Sequence, residues 1–225
     1  MRPRFVDLSH PIESGSPGYP GLPVPRVEPW RSHAASRPDY GGQAEFEITR
    51  LFLVGNTGTH LDSPRHRFPG APDIADLPLE RLAALPGRCL DADGRLGIDA
   101  RLADGDHAGT AVLVRSGWDR HRGTDAYWRG APFLARALAE RLVAAGVALV
   151  GIDGPNIDDV ADASRPAHTL LLGAGIPVVE HLRGLGGLPA SGFRFFAVPA
   201  PVRTAAAMPV RAFAIVDRPG EDGGF

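Results

Sequence analysis

Short apolar runs rich in β-branched residues recur along this chain and limit it to a sheet-based fold. They cover residues 5–8, 45–54, 111–115, 147–152, 176–180, 193–198 and 210–216. Residues 45–54 alternate at their start, with Phe46 and Ile48 on one face and Glu45 and Glu47 on the other. One stretch has clear helical spacing. Residues 132–145 carry Leu134, Leu138, Leu142 and Ala145 at three- and four-residue steps, and Gly146 follows as a stop signal. That helix runs into the strand at 147–152, which makes an αβ unit. Strands outnumber helices, so the class is α/β or α+β with a mixed sheet. No repeat or linker divides the 225 residues, and we read a single domain over 1–225. Residues 11–29 are dense in proline and glycine and are expected to form an irregular lid or binding loop.

Composition excludes several functions. Hydrophobic residues at 44% and charged residues at 22% rule out a disordered chain, a coiled coil and a collagen-like fibre. A formal net charge of −2 without a basic stripe argues against a nucleic-acid binder. Cys89 is the only cysteine, so neither an intrachain disulfide nor a cysteine-built zinc site can form. The opening residues lack a signal-peptide apolar run, and the longest apolar stretch, 142–152, is far short of the ~20 residues of a membrane helix. The expected location is the cytoplasm, with no membrane partner.

The segment richest in chemistry is Gly55-Asn56-Thr57-Gly58-Thr59-His60-Leu61-Asp62-Ser63-Pro64-Arg65-His66. His60 and Asp62 are two apart, so in an extended backbone both point the same way, roughly 6–7 Å apart. Imidazole plus carboxylate is a common zinc or manganese ligand set. The same residues would also suit a polar turn in which Asp62 and Ser63 bond backbone amides. Further on, His168 opens an apolar stretch and Glu180 closes another, where a carboxylate is costly to bury unpaired. Taken singly, Glu180 reads as a solvated strand end and His168 as a helix-start residue. His10 reads as structural, Asp153 as a turn residue, and Trp118 and Trp128 as core or interface. His33, His107 and His121 are expected in solvent. His181 would face away from Glu180 if the strand continued. No Gly-x-Ser-x-Gly elbow or G-x-G-x-x-G loop is present.

The pattern Asn56-Thr57-Gly58-Thr59-His60-Leu61-Asp62-Ser63-Pro64-Arg65-His66 resembles the signature His-x-Gly-Thr-His-x-Asp-x-Pro-x-His of the cyclase family of metal-dependent hydrolases, which includes kynurenine formamidases and isatin hydrolases. Asp7-Leu8-Ser9-His10-Pro11, Pro17 to Gly21, Arg115 to Trp118, Val150 to Asp153, Ile176 to Leu182 and Met208 to Arg211 follow the family in order. The resemblance implies an α/β single domain with mixed sheets of swivelling β/β/α type, partly barrel-like, flanked by helices. It implies that His60, Asp62, His168 and Glu180 hold one or two divalent ions, zinc or manganese, and that His66 is the general acid/base. It places Tyr19 against an aromatic substrate. It implies a homodimer that hydrolyses an amide, lactam or ester, with an aryl formamide or small cyclic amide favoured.

One position departs from the signature. Asn56 stands where the family has its first histidine, and an amide carbonyl is a weaker, harder ligand. Asn56 either ligates an oxygen-loving ion, or only hydrogen-bonds, or marks a site for a single ion. A second function stays open at this point, that of a catalytically altered relative that binds a small molecule.

Overall fold

The structure, a computed structural model, describes residues 3–92, 96–99 and 106–216. In chain order its first elements are β1 (Arg4–Asp7), β2 (Arg26–Arg31), α1 (His33–Ser36), β3 (Ile48–Phe52), β4 (His60–Asp62), β5 (Leu85–Asp91), β6 (Gly97–Ile98) and β7 (Ala111–Arg115). Then come β8 (Phe133–Leu134), α2 (Arg136–Ala144), β9 (Leu149–Ile152), α3 (Pro166–Gly173), β10 (Val178–Glu180), β11 (Phe193–Phe196), β12 (Ala207–Pro209) and β13 (Phe213–Val216). Nine strands form one sheet in the order β1-β13-β11-β5-β7-β9-β10-β4-β12, curled into half a barrel. The central pairs β5·β7, β7·β9 and β9·β10 are parallel, and the flanking pairs are antiparallel. This is the mixed α/β class expected from the run pattern.

The central strands read as continuous apolar runs because both their faces are buried. Along β7, Leu113 packs into one core cluster with Leu61, Val179 and Phe195. Its neighbours Val112 and Val114 pack into the other, with Leu138 and Leu142 of α2 and Leu171 of α3. Helices α2 and α3 therefore cover one face of the sheet. Among the described residues, no helix is long and apolar enough to cross a membrane.

Three local expectations are corrected. The helix expected over 132–145 starts only at Arg136, because Phe133 and Leu134 pair with Gly97 and Ile98 as a short parallel ribbon. Gly146 does end it, with φ of 66°. The strand expected over 45–54 shrinks to Ile48–Phe52 and is exposed along its length. It pairs with β2, which begins inside the stretch expected to be loop, as a two-stranded ribbon with a register shift between Pro29 and Arg31. Its alternation answers to no core, and Pro29 is tolerated at such an irregularity. His107, expected in solvent, is buried, and its carbonyl accepts from the backbone and side chain of Thr110.

The passage from the ribbon to β4 depends on Gly55. A Cβ there would lie 2.4 Å from the carbonyl oxygen of Ala207, the residue paired with Asp62. Backbone cannot yield as a flexible side chain can. Gly55→Ala is expected to cost ~1–3 kcal/mol, lowering Tm by roughly 3–10 °C. Gly18→Ala, where no atom lies within 4 Å, is the control that leaves Tm in place. Calorimetry of both variants checks this, and an unchanged Tm in Gly55→Ala would contradict the close approach.

Candidate metal centre

In the antiparallel pairing of β4 with β10, His60 lies opposite Glu180 and Asp62 opposite Val178. Paired residues share a face, and residues two apart along a strand return to it. His60, Asp62 and Glu180 therefore project together, while Leu61 and Val179 enter the core behind. The first turn of α3 adds His168. Nε2 of His60 stands 3.7 Å from Oδ2 of Asp62 and 3.6 Å from Oε2 of Glu180. Nε2 of His168 stands 3.6 Å from Oδ2 of Asp62 and 3.5 Å from Oε1 of Glu180. All four residues are buried.

The donor set fits a metal ion. Two ligands about 2.1 Å from a tetrahedral ion stand roughly 3.4 Å apart, close to these spacings. Asp62 Oδ2 and His168 Nε2 are buried without any hydrogen-bond partner, an arrangement that is costly unless something else satisfies them. The ring orientations agree. Nδ1 of His60 lies 2.9 Å from the carbonyl oxygen of Gly58, and Nδ1 of His168 lies 2.7 Å from Oδ2 of Asp158. Both partners are acceptors, so each Nδ1 donates and each Nε2 lone pair faces the centre. Asp158 also accepts the backbone N–H groups of Ala167 and His168. Glu180 accepts from the backbone of Ile157 at 2.7 Å.

The remaining candidates surround this core. His66, in the turn after β4, has its side chain about a third exposed, with Nδ1 3.6 Å from Oδ1 of Asp62. It lies within ligand reach of Asp62 and His168, while His60, Asp62 and Glu180 form a second, overlapping group. Asn56 directs its amide nitrogen at Oδ1 of Asp62, 3.2 Å away, and at Nε2 of His60, 3.1 Å away. That contact is a donor's; a half-turn of the amide would present the carbonyl instead. A cavity of about 370 Å³ opens over the cluster, lined by Tyr19, Asn56, His66, His168 and Glu180 among others. Tyr19 packs edge-on against Trp128 at 5.7 Å. Asp153 stays with its turn, accepting from Ser116 and Gly117.

Sequence reasoning missed Asp158 and His181. Asp158 lies ten residues before its partner, and nothing in the spacing marks the pair. His181 was expected to face away from Glu180. Instead β10 ends at Glu180, and His181 takes φ of 57°, which turns its ring into the same cavity. No residue pattern signals that sign of φ in a non-glycine residue.

Charge is balanced tightly here. Burial works against charge on Asp62, yet the neighbouring His60, His168 and His66 hold its carboxyl down at about 2. Burial pushes Glu180 up to about 8. Burial also disfavours charge on His168, but the carboxylates of Asp158, Asp62 and Glu180 outweigh it and push the ring up to about 10. Burial, then the charges of His60 and Arg122, press His181 well below the usual histidine value.

Comparison with known proteins gives the lineage. The family model described as "Putative cyclase" matches residues 6–159. The chain belongs to the cyclase family. It is 32% identical over 218 residues to a kynurenine formamidase of Paracidovorax citrulli, covering 93% of this chain and 96% of that one. A kynurenine formamidase of Bordetella petrii is 31% identical over 216 residues, with the same coverage. Isatin hydrolase A from Labrenzia aggregata superposes with a TM-score of 0.82 at 22% identity, covering 96% of this chain and 94% of that one. The last likeness shows a shared fold.

The carboxylates around His168 and the burial of Glu180 raise both groups above their ordinary values, so protons compete with a cation for these atoms. A divalent cation entering the site must displace them, so affinity is expected to rise with pH, about tenfold per unit for each proton released. Zinc titration calorimetry in two buffers of different protonation enthalpy reads the release directly. A pH-independent affinity without proton release would contradict this arrangement.

Proposed function

We propose that this cyclase-family chain is a metal-dependent hydrolase of C–N bonds other than peptide bonds. The favoured substrate is an aryl formamide of the N-formylkynurenine kind or a small cyclic amide. The observation that carries this reading is the convergence of His60, Asp62, His168 and Glu180, with two imidazole lone pairs directed inward and two buried atoms unpartnered. The names of the formamidase relatives and of the isatin hydrolase neighbour support the substrate class. The mixed nitrogen and oxygen donors suit zinc or manganese.

A divalent ion, when bound, supplies a Lewis acid that polarises the scissile carbonyl and acidifies water. Asp62 and Glu180 supply the negative charge that retains such an ion in a buried place. His66, at the mouth, takes a proton from the attacking water as its oxygen joins the carbonyl carbon. It gives that proton to the leaving nitrogen as the C–N bond breaks. Tyr19 and Trp128 offer aromatic faces on which an aryl group can rest. A small-molecule binder without catalysis would have no use for the lone-pair orientation that Gly58 and Asp158 enforce. The exposed apolar side chains of the ribbon, Trp30 and Leu51 among them, support the homodimer that the resemblance implies.

His66 as proton carrier and His66 as ligand give different outcomes. His66→Ala is expected to keep its metal content near that of the wild type while kcat falls ~10²–10⁴-fold. Asp62→Ala is expected to lose both metal and activity. Metal analysis alongside hydrolysis of an aryl formamide checks the pair. Loss of metal in His66→Ala equal to that in Asp62→Ala would make His66 a ligand.

A further inference from the structure

Three imidazoles surround the cavity floor, and the partner of each Nδ1 decides what its other nitrogen can do. His60 and His168 have acceptors at Nδ1, as described above. His181 is wired the opposite way. Its Nδ1 lies 2.7 Å from Nη1 of Arg122 and 2.7 Å from the hydroxyl of Tyr127. A guanidinium has donors only. The nitrogen facing it therefore carries the lone pair, and the ring proton sits on Nε2. The Tyr127 hydroxyl is compatible with this, since it can donate to the same lone pair or accept from Arg122.

The ring is held firmly in that pose. A left-handed φ of 57° is disfavoured for histidine by roughly 1–3 kcal/mol, and such strain persists only where the surroundings impose it. Here the His181 backbone N–H donates to the carbonyl of Gly154 at 3.0 Å, and its carbonyl accepts from Thr59 Oγ1 at 2.7 Å. Trp128 packs edge-on to the ring at 5.8 Å, and the ring of His60 lies 5.4 Å away. His181 lines the cavity together with Asn56, His60 and Glu180. With Nδ1 committed behind it, Nε2 is the nitrogen left to serve the cavity.

We infer that His181 is a fixed Nε2–H donor beside the metal centre that hydrogen-bonds the carbonyl oxygen of the substrate, where negative charge grows during attack, and that Arg122 is the positioning residue that sets its tautomer. The catalytic part of this inference rests on the hydrolase reading proposed above. His181 is accordingly no substitute for the imidazole that Asn56 replaces, because a protonated Nε2 cannot ligate a metal. A neutral donor aimed at a developing oxyanion acts without giving up its proton, which separates its task from that of His66.

Two measurements on the zinc-loaded protein decide the matter. In the first, protein labelled with ¹⁵N-histidine is examined by long-range ¹H–¹⁵N correlation, with His181→Gln identifying the signal by its loss. The expected result is the Nε2–H tautomer for His181 and the Nδ1–H tautomer for His60 and His168. An Nδ1–H signal from His181 would overturn the inference. In the second, His181→Phe is expected to keep its zinc and lose ~10²–10³-fold in kcat on an aryl formamide. His181→Gln, whose amide N–H reaches a similar position, is expected to recover at least about tenfold of that loss. Zinc loss in both variants, or kcat within about twofold of wild type in either the Phe variant or both, would also overturn it. A wild type that hydrolyses neither aryl formamides nor small lactams defeats the hydrolase reading instead, and the tautomer signal still decides whether His181 is the donor.

Discussion

Two carboxylates buried side by side in the wall of a sheet are the constraint to which the rest of this structure answers. Asp62 and Glu180 are almost fully removed from water, and an uncompensated buried charge costs several kcal/mol even after relaxation. The compensation is assembled from distant parts of the chain. The β4·β10 pairing sets His60 against Glu180. The loop after β9 supplies the Ile157 amide to Glu180 and the Asp158 carboxylate to His168. The start of α3 then places His168 across both acids. Each piece neutralises or orders another, and together they leave one small volume where a divalent cation completes the balance.

This also explains the odd wiring of the ring nitrogens. An imidazole has one lone pair and one proton when neutral, so the partner at its outer nitrogen settles the role of its inner one. A carbonyl at His60 and a carboxylate at His168 release lone pairs toward the centre. A guanidinium at His181 releases a proton. The same side chain thus serves opposite ends in one cavity, distinguished by neighbours 2, 10 and 59 residues away in the sequence. Asn56 fits the same logic on the acceptor-rich side, where its amide hydrogens meet Asp62 and His60.

The sequence showed the site where geometry followed directly from spacing. His60 and Asp62 share a face because a strand repeats every two residues, and that strand is present as β4. Glu180 and His168 carried no such mark and were reached through the resemblance to the family along the chain, since their meeting with His60 depends on strand order. Asp158 and His181 lay beyond both routes. The bond from Asp158 to His168 belongs to a loop wrapped over a helix start, and the position of His181 depends on the sign of one backbone angle. At the level of the fold, central strands were legible because both faces are apolar. The ribbon of β2 and β3 was misjudged in extent because its alternation faces solvent on both sides. The start of α2 was misjudged because Phe133 and Leu134 are claimed by a neighbouring strand.

The central claim is that His60, Asp62, His168 and Glu180 enclose a divalent ion. Anomalous diffraction from crystals of the protein as purified, at the absorption edge of the metal found in it, tests this most directly. The account requires a peak ~2.0–2.3 Å from Nε2 of His60 or His168 and from an oxygen of Asp62 or Glu180. Crystals of metal-replete protein with no peak in this cluster, or with the ion held elsewhere, would contradict it.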